Sequence, residues 1–351
     1  MYMSTTSPID QVGAFTAFGG DLTHVIVGNM ISDDYFENIN TKNIDVFRQI
    51  CREHKQDLDN LAKTYENFDI VVDRPKILYN KPSLETHGNT TIFNPVPPKN
   101  PHDHVLCIDN VFVNTFSYIE KFSEQKSIEH VTDRLNPTID YKPVPIPNEW
   151  DDDFYNQMNE QDWPGNLDIL CDGAQFYPCG KHILYAKRYS NSQKGIDFVK
   201  QSFENIDVEF IELQLPIKNH LDGQFRILRP GHVLSVWPKE VLVQQIPQFA
   251  SWNITVDDSW KIAKQKRKDQ KFISDWMDTD IESSSLNIGF VHVNEDTVII
   301  SDEHPILCKS LENAKVNWVI SPIRHKMFWN SSISCATATL HRKDTNHDYL
   351  N

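Results

Sequence analysis

Short apolar runs alternate with amphipathic stretches along this chain. The run at 23–28 predicts a buried strand that ends in a glycine turn, and residues 44–65 carry apolar positions at helical spacing. A strand is predicted at 69–75, and the Pro- and Asn-rich stretch 81–101 predicts a long loop. The run at 104–113 predicts two short strands joined by an Asp-Asn turn. This alternation of strands and helices indicates an α/β fold.

A hairpin, a helix and a returning strand recur as a unit. The segment that begins at Asp172-Gly173 is matched by one that begins at Asp222-Gly223, and each continues through Gln-Phe, a glycine turn and a His-β-branched-Leu strand. The stretch 196–205 predicts the helix of the first copy, and 208–213 its returning strand. Residues 291–300 predict another hairpin of the same style. Repeated units of one supersecondary type predict a closed radial arrangement whose equivalent turns converge on an axis.

The composition is that of an acidic protein with a packed interior. Hydrophobic residues make up 39% of the 351 positions and aromatic residues 11%. The formal net charge of −15 excludes nucleic acid and anionic membranes as the main partner and favours cationic small molecules. The basic segment 261–271 is interpreted as a solvated helix face or loop, without a function. We therefore expect small-molecule substrates as partners.

Cysteine usage and the N-terminal sequence bear on compartment and organisation. The six cysteines are scattered without metal-finger spacing, and the N-terminus has no basic or apolar signal region. A reducing cytoplasm is the predicted location, and no apolar run approaches the length of a membrane span. We predict one domain over residues 1–351, with 1–20 as an N-terminal extension. The sequence leaves a homodimer open.

Four residues supply the candidate chemistry. Cys335 lies among small and hydroxyl residues, Asp172 and Asp222 open the two matching hairpins, and His220 precedes the second. A cysteine attacks as a thiolate, an imidazole can move its proton, and two carboxylates can bind a planar guanidinium. If the hairpin tips converge, the four residues form one pocket for cationic-substrate chemistry at carbon. Their spacing does not match a zinc site, so we predict no metal.

Each of these residues alone has a plainer interpretation. Asp-Gly is the commonest hairpin-turn dipeptide, a histidine at a strand start is usually a surface group, and a lone cysteine is usually a small buried hydrophobe. Only their combination predicts an active site.

Several strings resemble a known family, the amidinotransferases, and most closely its arginine:glycine branch within the guanidino-modifying enzymes. Residues 23–28 resemble the family's "EEVIVG" strand, 103–110 its "RDILIVVGN" segment and 153–157 its "DELYNQ". Residues 171–176 resemble "FDAADF", and 220–225 resemble "HIDATF". Their common order makes the resemblance run nearly end to end.

The C-terminal half carries the rest of the resemblance. Residues 230–235 resemble the family's "PGIVLS", and Cys335 falls at the first cysteine of its "HCWTC". The resemblance implies a five-bladed, pseudo-symmetric α/β propeller of ββαβ modules. It also implies a cofactor-free ping-pong reaction, in the class of glycine amidinotransferase-like transferases.

The resemblance further implies a role for each site residue. Cys335 would attack the guanidino carbon of L-arginine, ornithine would depart, and the amidino group would pass to an amine, glycine in the best-known branch. His220 would protonate the leaving amine and later deprotonate the acceptor, while Asp172 would hold the guanidinium and orient His220. Asp103 and Asp222 would also bind the guanidinium.

Departures from the family fall on substrate recognition. Lys239 stands where the family has an arginine that binds the substrate carboxylate. A planar guanidinium, which can bind a carboxylate with two N–H groups, is thereby replaced by the point charge of an ammonium group. Ser283 and Ser284, with Ser285 beside them, are candidates for the family's serine pair. Different residues also follow the 103–110 string and precede the nucleophile. The sequence thus predicts retained chemistry with altered substrate recognition.

Three hypotheses follow from these residues. The first is an amidinotransferase that makes ornithine and guanidinoacetate, or that uses an acceptor other than glycine. The second is a guanidino hydrolase of the deiminase or dihydrolase type, with water as the acceptor. The third is a non-catalytic guanidine binder, which the joint presence of Asp172, His220 and Cys335 disfavours. Fold similarity alone does not decide among them.

Overall fold

Strands and short helices alternate through most of the chain. The computed structural model describes residues 7–32, 44–78, 83–87, 90–94, 97–116, 122–145, 169–187, 192–215, 220–258 and 288–350. The helices are α1 (Ile44–Glu66), α2 (Phe122–Lys126), α3 (Glu129–Thr132), α4 (Gln193–Ser202), α5 (Lys239–Gln245), α6 (Pro305–Ala314) and α7 (Lys326–Trp329). The strands are β1 (Asp21–Val27), β2 (Val71–Asp73), β3 (Ser83–His87), β4 (Thr90–Asn94), β5 (Val105–Ile108), β6 (Val111–Asn114), β7 (Asp140–Pro143), β8 (Phe176–Cys179), β9 (His182–Tyr185), β10 (Glu209–Glu212), β11 (Phe225–Arg229), β12 (His232–Ser235), β13 (Asn253–Val256), β14 (Val291–Asn294), β15 (Thr297–Ile300), β16 (Asn317–Ile320) and β17 (Thr337–Lys343).

Fifteen of these strands form five sheets of three strands each. The sheets are β17-β1-β2, β5-β6-β7, β8-β9-β10, β11-β12-β13 and β14-β15-β16. In four of them, a hairpin of two antiparallel strands is followed by helical residues and then by a third strand that pairs in parallel with the second. In the sheet β17-β1-β2 the strand antiparallel to β1 is the C-terminal strand β17, and α1 leads from β1 to the parallel strand β2. The predicted unit of hairpin, helix and returning strand is therefore confirmed in four sheets, and with the sheet that β17 completes it makes the predicted pseudo-five-fold α/β fold.

Burial falls from the first strand of a sheet to the third. The hairpin strands β5 and β6 are buried at every position, and β11 is buried at its first four. The returning strands β10, β13 and β16 are exposed at both ends and only partly buried between. The hairpins thus form the interior, which explains why their sequences are continuous apolar runs rather than alternating ones.

Local sequence signals set the turns and helix ends. Asp109 and Asn110 have φ values of 42° and 59° between β5 and β6, as the predicted Asp-Asn hairpin turn requires. Ser192 caps α4 by accepting a hydrogen bond from the Gly195 amide. Helix α6 begins with Pro305 and ends at Ala314, and the next residue, Lys315, adopts a left-handed conformation. The helices predicted at 44–65 and 196–205 are confirmed as α1 and α4.

The prediction of one long loop at 81–101 is wrong. Strands β3 and β4 pair there as an antiparallel hairpin, with Leu84 opposite Phe93 and Glu85 opposite Ile92. The segment Thr90–Asn94 is rich in β-branched and aromatic residues, which favours a strand. The prolines and asparagines on either side of this segment are typical of loops, and for that reason the sequence predicted a loop rather than a hairpin.

The N-terminal residues lie across several sheets. Ile9 forms an isolated bridge with Leu135, Gly13 with His341, and Thr16 with Cys179. The Asp344 carboxylate accepts hydrogen bonds from the amides of Phe15 and Thr16 at 3.1 and 2.7 Å. Residues 7–20, predicted as an extension, are thus tied to the sheets. Among the helices of the described residues, none is long and apolar enough to cross a membrane.

Candidate active site

Three short 3₁₀ turns bring the acidic residues together, each just before the first strand of a sheet. They are Pro101–His104 before β5, Gly173–Gln175 before β8 and Leu221–Gly223 before β11. The first turn packs on the second, and the second on the third. Because the turns are equivalent positions of successive units, they deliver Asp103, Asp172 and Asp222 to one place.

His220 lies between two of these carboxylates. Its Nε2 is 3.0 Å from Asp172 Oδ2, and its Nδ1 is 3.6 Å from Asp103 Oδ1. Both aspartates are fully buried, whereas the His220 side chain is 22% exposed. The imidazole is therefore held by buried carboxylates and keeps one side open to a ligand.

Local hydrogen bonds hold the two aspartates. Asp172 caps its turn by accepting a hydrogen bond from the Ala174 amide at 3.0 Å. A Cβ on Gly173 would lie 2.7 Å from the carbonyl oxygen of His102, so only glycine lets the two turns approach this closely. The Asp103 carbonyl in turn accepts a hydrogen bond from Thr115 Oγ1 at 2.7 Å.

Cys335 is buried two residues before β17. Its Sγ lies 3.4 Å from Ser332 Oγ, and its carbonyl accepts a hydrogen bond from the His102 amide at 3.4 Å. Burial, and after it the carboxylates of Asp222 and Asp103, raise the pKa of the thiol to about 11, although hydrogen bonds from Ser332 act to lower it. Without a cation nearby, Cys335 is thus a thiol at neutral pH.

Asp222 is held by two residues that the sequence analysis did not select. Its Oδ2 accepts a hydrogen bond from an Arg226 Nη at 2.9 Å and lies 3.5 Å from His102 Nε2. Within the described residues, its other oxygen, Oδ1, is buried and has no hydrogen-bond partner. A carboxylate fixed by one oxygen can offer the other to a ligand N–H.

A sequence signal existed for both missed residues. Arg226 lies four positions after Asp222, and His102 directly precedes Asp103, where the family string "RDILIVVGN" has arginine. Arg226 also packs with its guanidinium carbon 5.5 Å from the centre of the Phe290 ring. Neither interaction could be assigned before the turns were known to meet.

The same cluster has the residue types of a metal site. One ligand atom each of Asp103, Asp172 and His220 lies within 4.8 Å of the other two. These groups could hold a divalent ion, but carboxylates around an open imidazole also fit a planar organic cation. The absence of a metal therefore stays a prediction.

Of the predicted substrate-binding residues outside the turns, only Lys239 lies within the described residues. Lys239, the first residue of α5, donates from Nζ to the Trp252 carbonyl at 3.0 Å and so links α5 to the segment before β13. Ser283 and Ser284, together with Ser285 and the basic segment 261–271, lie outside the described residues.

Comparison with solved structures places this arrangement among known folds. The inosamine-phosphate amidinotransferase from Streptomyces griseus superposes with a TM-score of 0.70 at 17% identity, over 97% of this chain and 99% of that chain. The chain has the fold of an amidinotransferase. An amidinotransferase of the saxitoxin biosynthetic pathway from Microseira wollei matches with a TM-score of 0.68 at 17% identity, over 96% and 99%.

Hydrolases also have this fold, at a lower similarity. A dimethylarginine dimethylaminohydrolase from Pseudomonas aeruginosa, complexed with citrulline, superposes with a TM-score of 0.58 at 11% identity over 90% of this chain and 98% of that chain. By sequence, the mitochondrial glycine amidinotransferase of Xenopus laevis is 18% identical over 321 residues, 84% of this chain and 71% of its own length. No family model matches the chain.

Proposed function

We propose that this protein is an amidinotransferase that moves the amidino group of L-arginine through Cys335 to glycine, giving ornithine and guanidinoacetate. The observation that carries the proposal is the contact of His220 with both Asp103 and Asp172, next to the buried thiol of Cys335. A nucleophile, a proton carrier and guanidinium-binding carboxylates are the parts that such a transfer needs.

Donor binding starts the reaction. The guanidinium enters between the carboxylates and offers its N–H groups to Asp172 and to the open oxygen of Asp222. Its positive charge lowers the pKa of the Cys335 thiol, which burial and two carboxylates otherwise raise. The thiolate then attacks the guanidino carbon, while His220 delivers a proton to the departing amine of ornithine.

The acceptor then reverses these steps. Ornithine leaves an amidino group on Cys335 Sγ, and an amine takes its place. His220, which gave up its proton in the first half-reaction, takes one from the amine as the amine attacks the amidino carbon. The C–S bond breaks, and its electron pair returns to sulfur. Every step uses side chains that the three turns and the segment before β17 position.

Glycine as the acceptor rests on the sequence relatives, whose name is glycine amidinotransferase. The Streptomyces griseus transferase, which superposes with a TM-score of 0.70, is instead named for an inosamine phosphate. Because Lys239 is bonded within its own unit, another amine without a carboxylate is the second candidate acceptor.

Hydrolysis is the competing reaction, because the dimethylarginine hydrolases and an arginine dihydrolase have this fold. Their TM-scores, 0.58 and 0.54, are below those of the two transferases, and each covers 90% of this chain rather than 96% or 97%. The fuller superposition favours the transferase.

We place the reaction in the cytoplasm. All six cysteines lie within the described residues and are free, as in a reducing compartment. The matched glycine amidinotransferases are mitochondrial by name. Fractionation of cells into cytosol and organelles, followed by detection of the protein, decides between the two locations.

The reaction is tested by product analysis. Purified protein is incubated with L-arginine, with and without glycine or a panel of other amines, and the products are identified by mass spectrometry. Guanidinoacetate together with ornithine, formed only when glycine is present, supports the proposal. Citrulline or urea without an amine would move the protein to the hydrolases, and another guanidino product would reassign the acceptor.

A further inference from the structure

Two buried serine hydroxyls, those of Ser332 and Ser334, form a hydrogen-bonded pair that ends at the sulfur of Cys335. Ser332 Oγ lies 3.4 Å from Cys335 Sγ and 3.0 Å from Ser334 Oγ. All three side chains are buried. Both serines belong to the stretch before the nucleophile, in which the chain departs from the family. The mechanism above gives this hydroxyl pair no role.

The backbone places Ser332 and Cys335 on the same side of one turn. The amide of Ala336 donates to the Ser332 carbonyl at 2.9 Å, and the amide of Thr337 donates to the Ser334 carbonyl at 3.2 Å. In a turn closed by a bond between residues four apart, side chains three apart are neighbours. The Ser332 hydroxyl therefore faces the sulfur because the local backbone directs it there.

Gly289 leaves the space that the Ser332 side chain fills. A Cβ at position 289 would overlap Ser332 Oγ, and it would lie 2.5 Å from Ser332 Cβ and 3.3 Å from Ser334 Oγ. Because buried side chains are close-packed, any residue larger than glycine would have to displace the first hydroxyl. The hydroxyl pair is thus held between the segment before β14 and the nucleophile.

The charge of the sulfur sets the direction of these hydrogen bonds. A thiolate has no proton and only accepts, so Ser332 must donate to it, and Ser334 can then donate to Ser332. Hydroxyls in such a series polarise one another, which strengthens the bond to the sulfur. Burial, Asp222 and Asp103 raise the pKa of the thiol, whereas the side chain and the backbone of Ser332 lower it. The Ser332 hydroxyl thus acts against the two carboxylates.

We propose that Ser332 is a further catalytic residue, which donates a hydrogen bond to the Cys335 thiolate and stabilises it, and that Ser334 positions Ser332. This assignment rests on the proposed amidinotransferase function and deepens it. The thiol proton leaves to water when guanidinium binds, and Ser332 keeps its own proton. The hydrogen bond weakens as the sulfur electron pair forms the C–S bond, and it is restored when that bond breaks in the second half-reaction.

The first test compares thiol ionisation in matched serine variants. Ser332→Ala removes the donor, and Ser334→Ala removes the second hydroxyl. Ser331→Ala is the control, because Ser331 is buried beside Ser332 in sequence and its Oγ has no hydrogen-bond partner in the described part of the chain. Each protein is saturated with methylguanidinium, which supplies the donor's cation alone. Thiolate absorbance is then titrated from pH 6 to 10 and corrected with the same variant carrying Cys335→Ser.

We expect Ser332→Ala to raise the thiol pKa by about one unit, the size of a lost hydrogen bond to a charged group. Ser334→Ala should raise it by less, and the double variant should match Ser332→Ala, because Ser334 acts through Ser332. Ser331→Ala should leave it unchanged. An unchanged pKa in Ser332→Ala, or an equal shift in the control, would overturn the assignment. An unchanged pKa in Ser334→Ala would overturn the role of the second hydroxyl.

The second test is the pH dependence of the ornithine burst, followed by rapid quench after mixing with L-arginine. Below the thiol pKa values of both proteins, the burst of Ser332→Ala should be about three- to tenfold slower than that of the wild type, since it has about a tenth of the thiolate but a more nucleophilic one. The difference should close as the pH rises, because the thiolate then forms without the hydroxyl. A loss of equal size at every pH would indicate structural damage and overturn the assignment.

The other titratable groups are common to both proteins, so they cancel in the comparison. They are the carboxylates that act on the sulfur and the histidines that contact those carboxylates, namely Asp103, Asp222, His102 and His220. A wild type that forms no ornithine would overturn the proposed function. The absorbance titration needs no turnover, so it would still decide the role of Ser332.

Discussion

The ionisation of Cys335 should depend on a bound guanidinium. Burial, Asp222 and Asp103 hold the pKa of the thiol at about 11 in the free protein. At pH 8 only about one molecule in 10³ then carries the thiolate, since each pH unit below the pKa costs a factor of ten. The perturbation is saturation with methylguanidinium, a cation with no amino acid portion.

The expected size follows from Coulomb's law. A cation about 4 Å from the sulfur, at an effective dielectric constant near 20, favours the thiolate by about 4 kcal/mol. Since 1.36 kcal/mol corresponds to one pKa unit, the thiol pKa falls from about 11 to about 8. Roughly half of the Cys335 side chains should then be ionised at pH 8, a several-hundred-fold increase. By linkage, methylguanidinium should bind about tenfold more tightly for each pH unit between 8 and 11.

Ultraviolet absorbance of the thiolate measures this directly. Spectra of the wild type and of Cys335→Ser are recorded from pH 6 to 10, with and without methylguanidinium, and the difference isolates Cys335 from the other five cysteines. The variant Asp222→Asn is a second test without ligand. Asp222 is the nearby charge that raises the pKa of the Cys335 thiol most, so its removal should lower that pKa.

Two results would refute the reasoning. A thiol that is already half ionised at pH 7 in the free protein would mean that burial and the carboxylates do not control it. A thiolate fraction that methylguanidinium leaves unchanged, at a concentration shown to bind, would mean that the cation does not lie near the sulfur.

Three further predictions concern the site and its support. Cys335→Ala should abolish turnover while leaving the thermal unfolding curve nearly unchanged, and residual turnover would exclude this nucleophile. Gly173→Ala places a Cβ 2.7 Å from the His102 carbonyl, so it should destabilise the protein by about 1–3 kcal/mol in urea titrations and lower kcat at least tenfold; wild-type kcat would contradict the tight packing of the turns. Arg226→Gln leaves Asp222 buried without its cation and should cost about 3–5 kcal/mol. The double change Arg226→Gln/Asp222→Asn should recover part of that loss, and a purely additive double variant would argue against the pair.

The repeating units could be predicted because each carries its own local signals. The hairpin runs are apolar at nearly every position, and the turn at Asp109-Asn110 has residues that tolerate positive φ. The internal match of the Asp172 and Asp222 segments indicated equivalent turns, which is why their convergence could be expected. The resemblance to the amidinotransferases supplied the number of units.

What could not be predicted depends on contacts between units. The pairing of His102 and Arg226 with Asp222 joins residues from two turns and a strand, and no local pattern marks it. Lys239 was selected by its resemblance to a family position, and that resemblance gave no sign of its hydrogen bond to the Trp252 carbonyl. The β3–β4 hairpin was missed because its flanks carry strong loop signals.

The pairing of β1 with β17 joins segments more than 300 residues apart in the chain, and Cys335 lies just before β17. During synthesis, the first sheet cannot be completed until this late segment leaves the ribosome. The three acidic turns come from earlier sheets and can assemble before it. The nucleophile is thus the last part of the site to be added. Under the proposed function, a nascent chain stalled before residue 335 would bind guanidinium through its carboxylates but could not react with it.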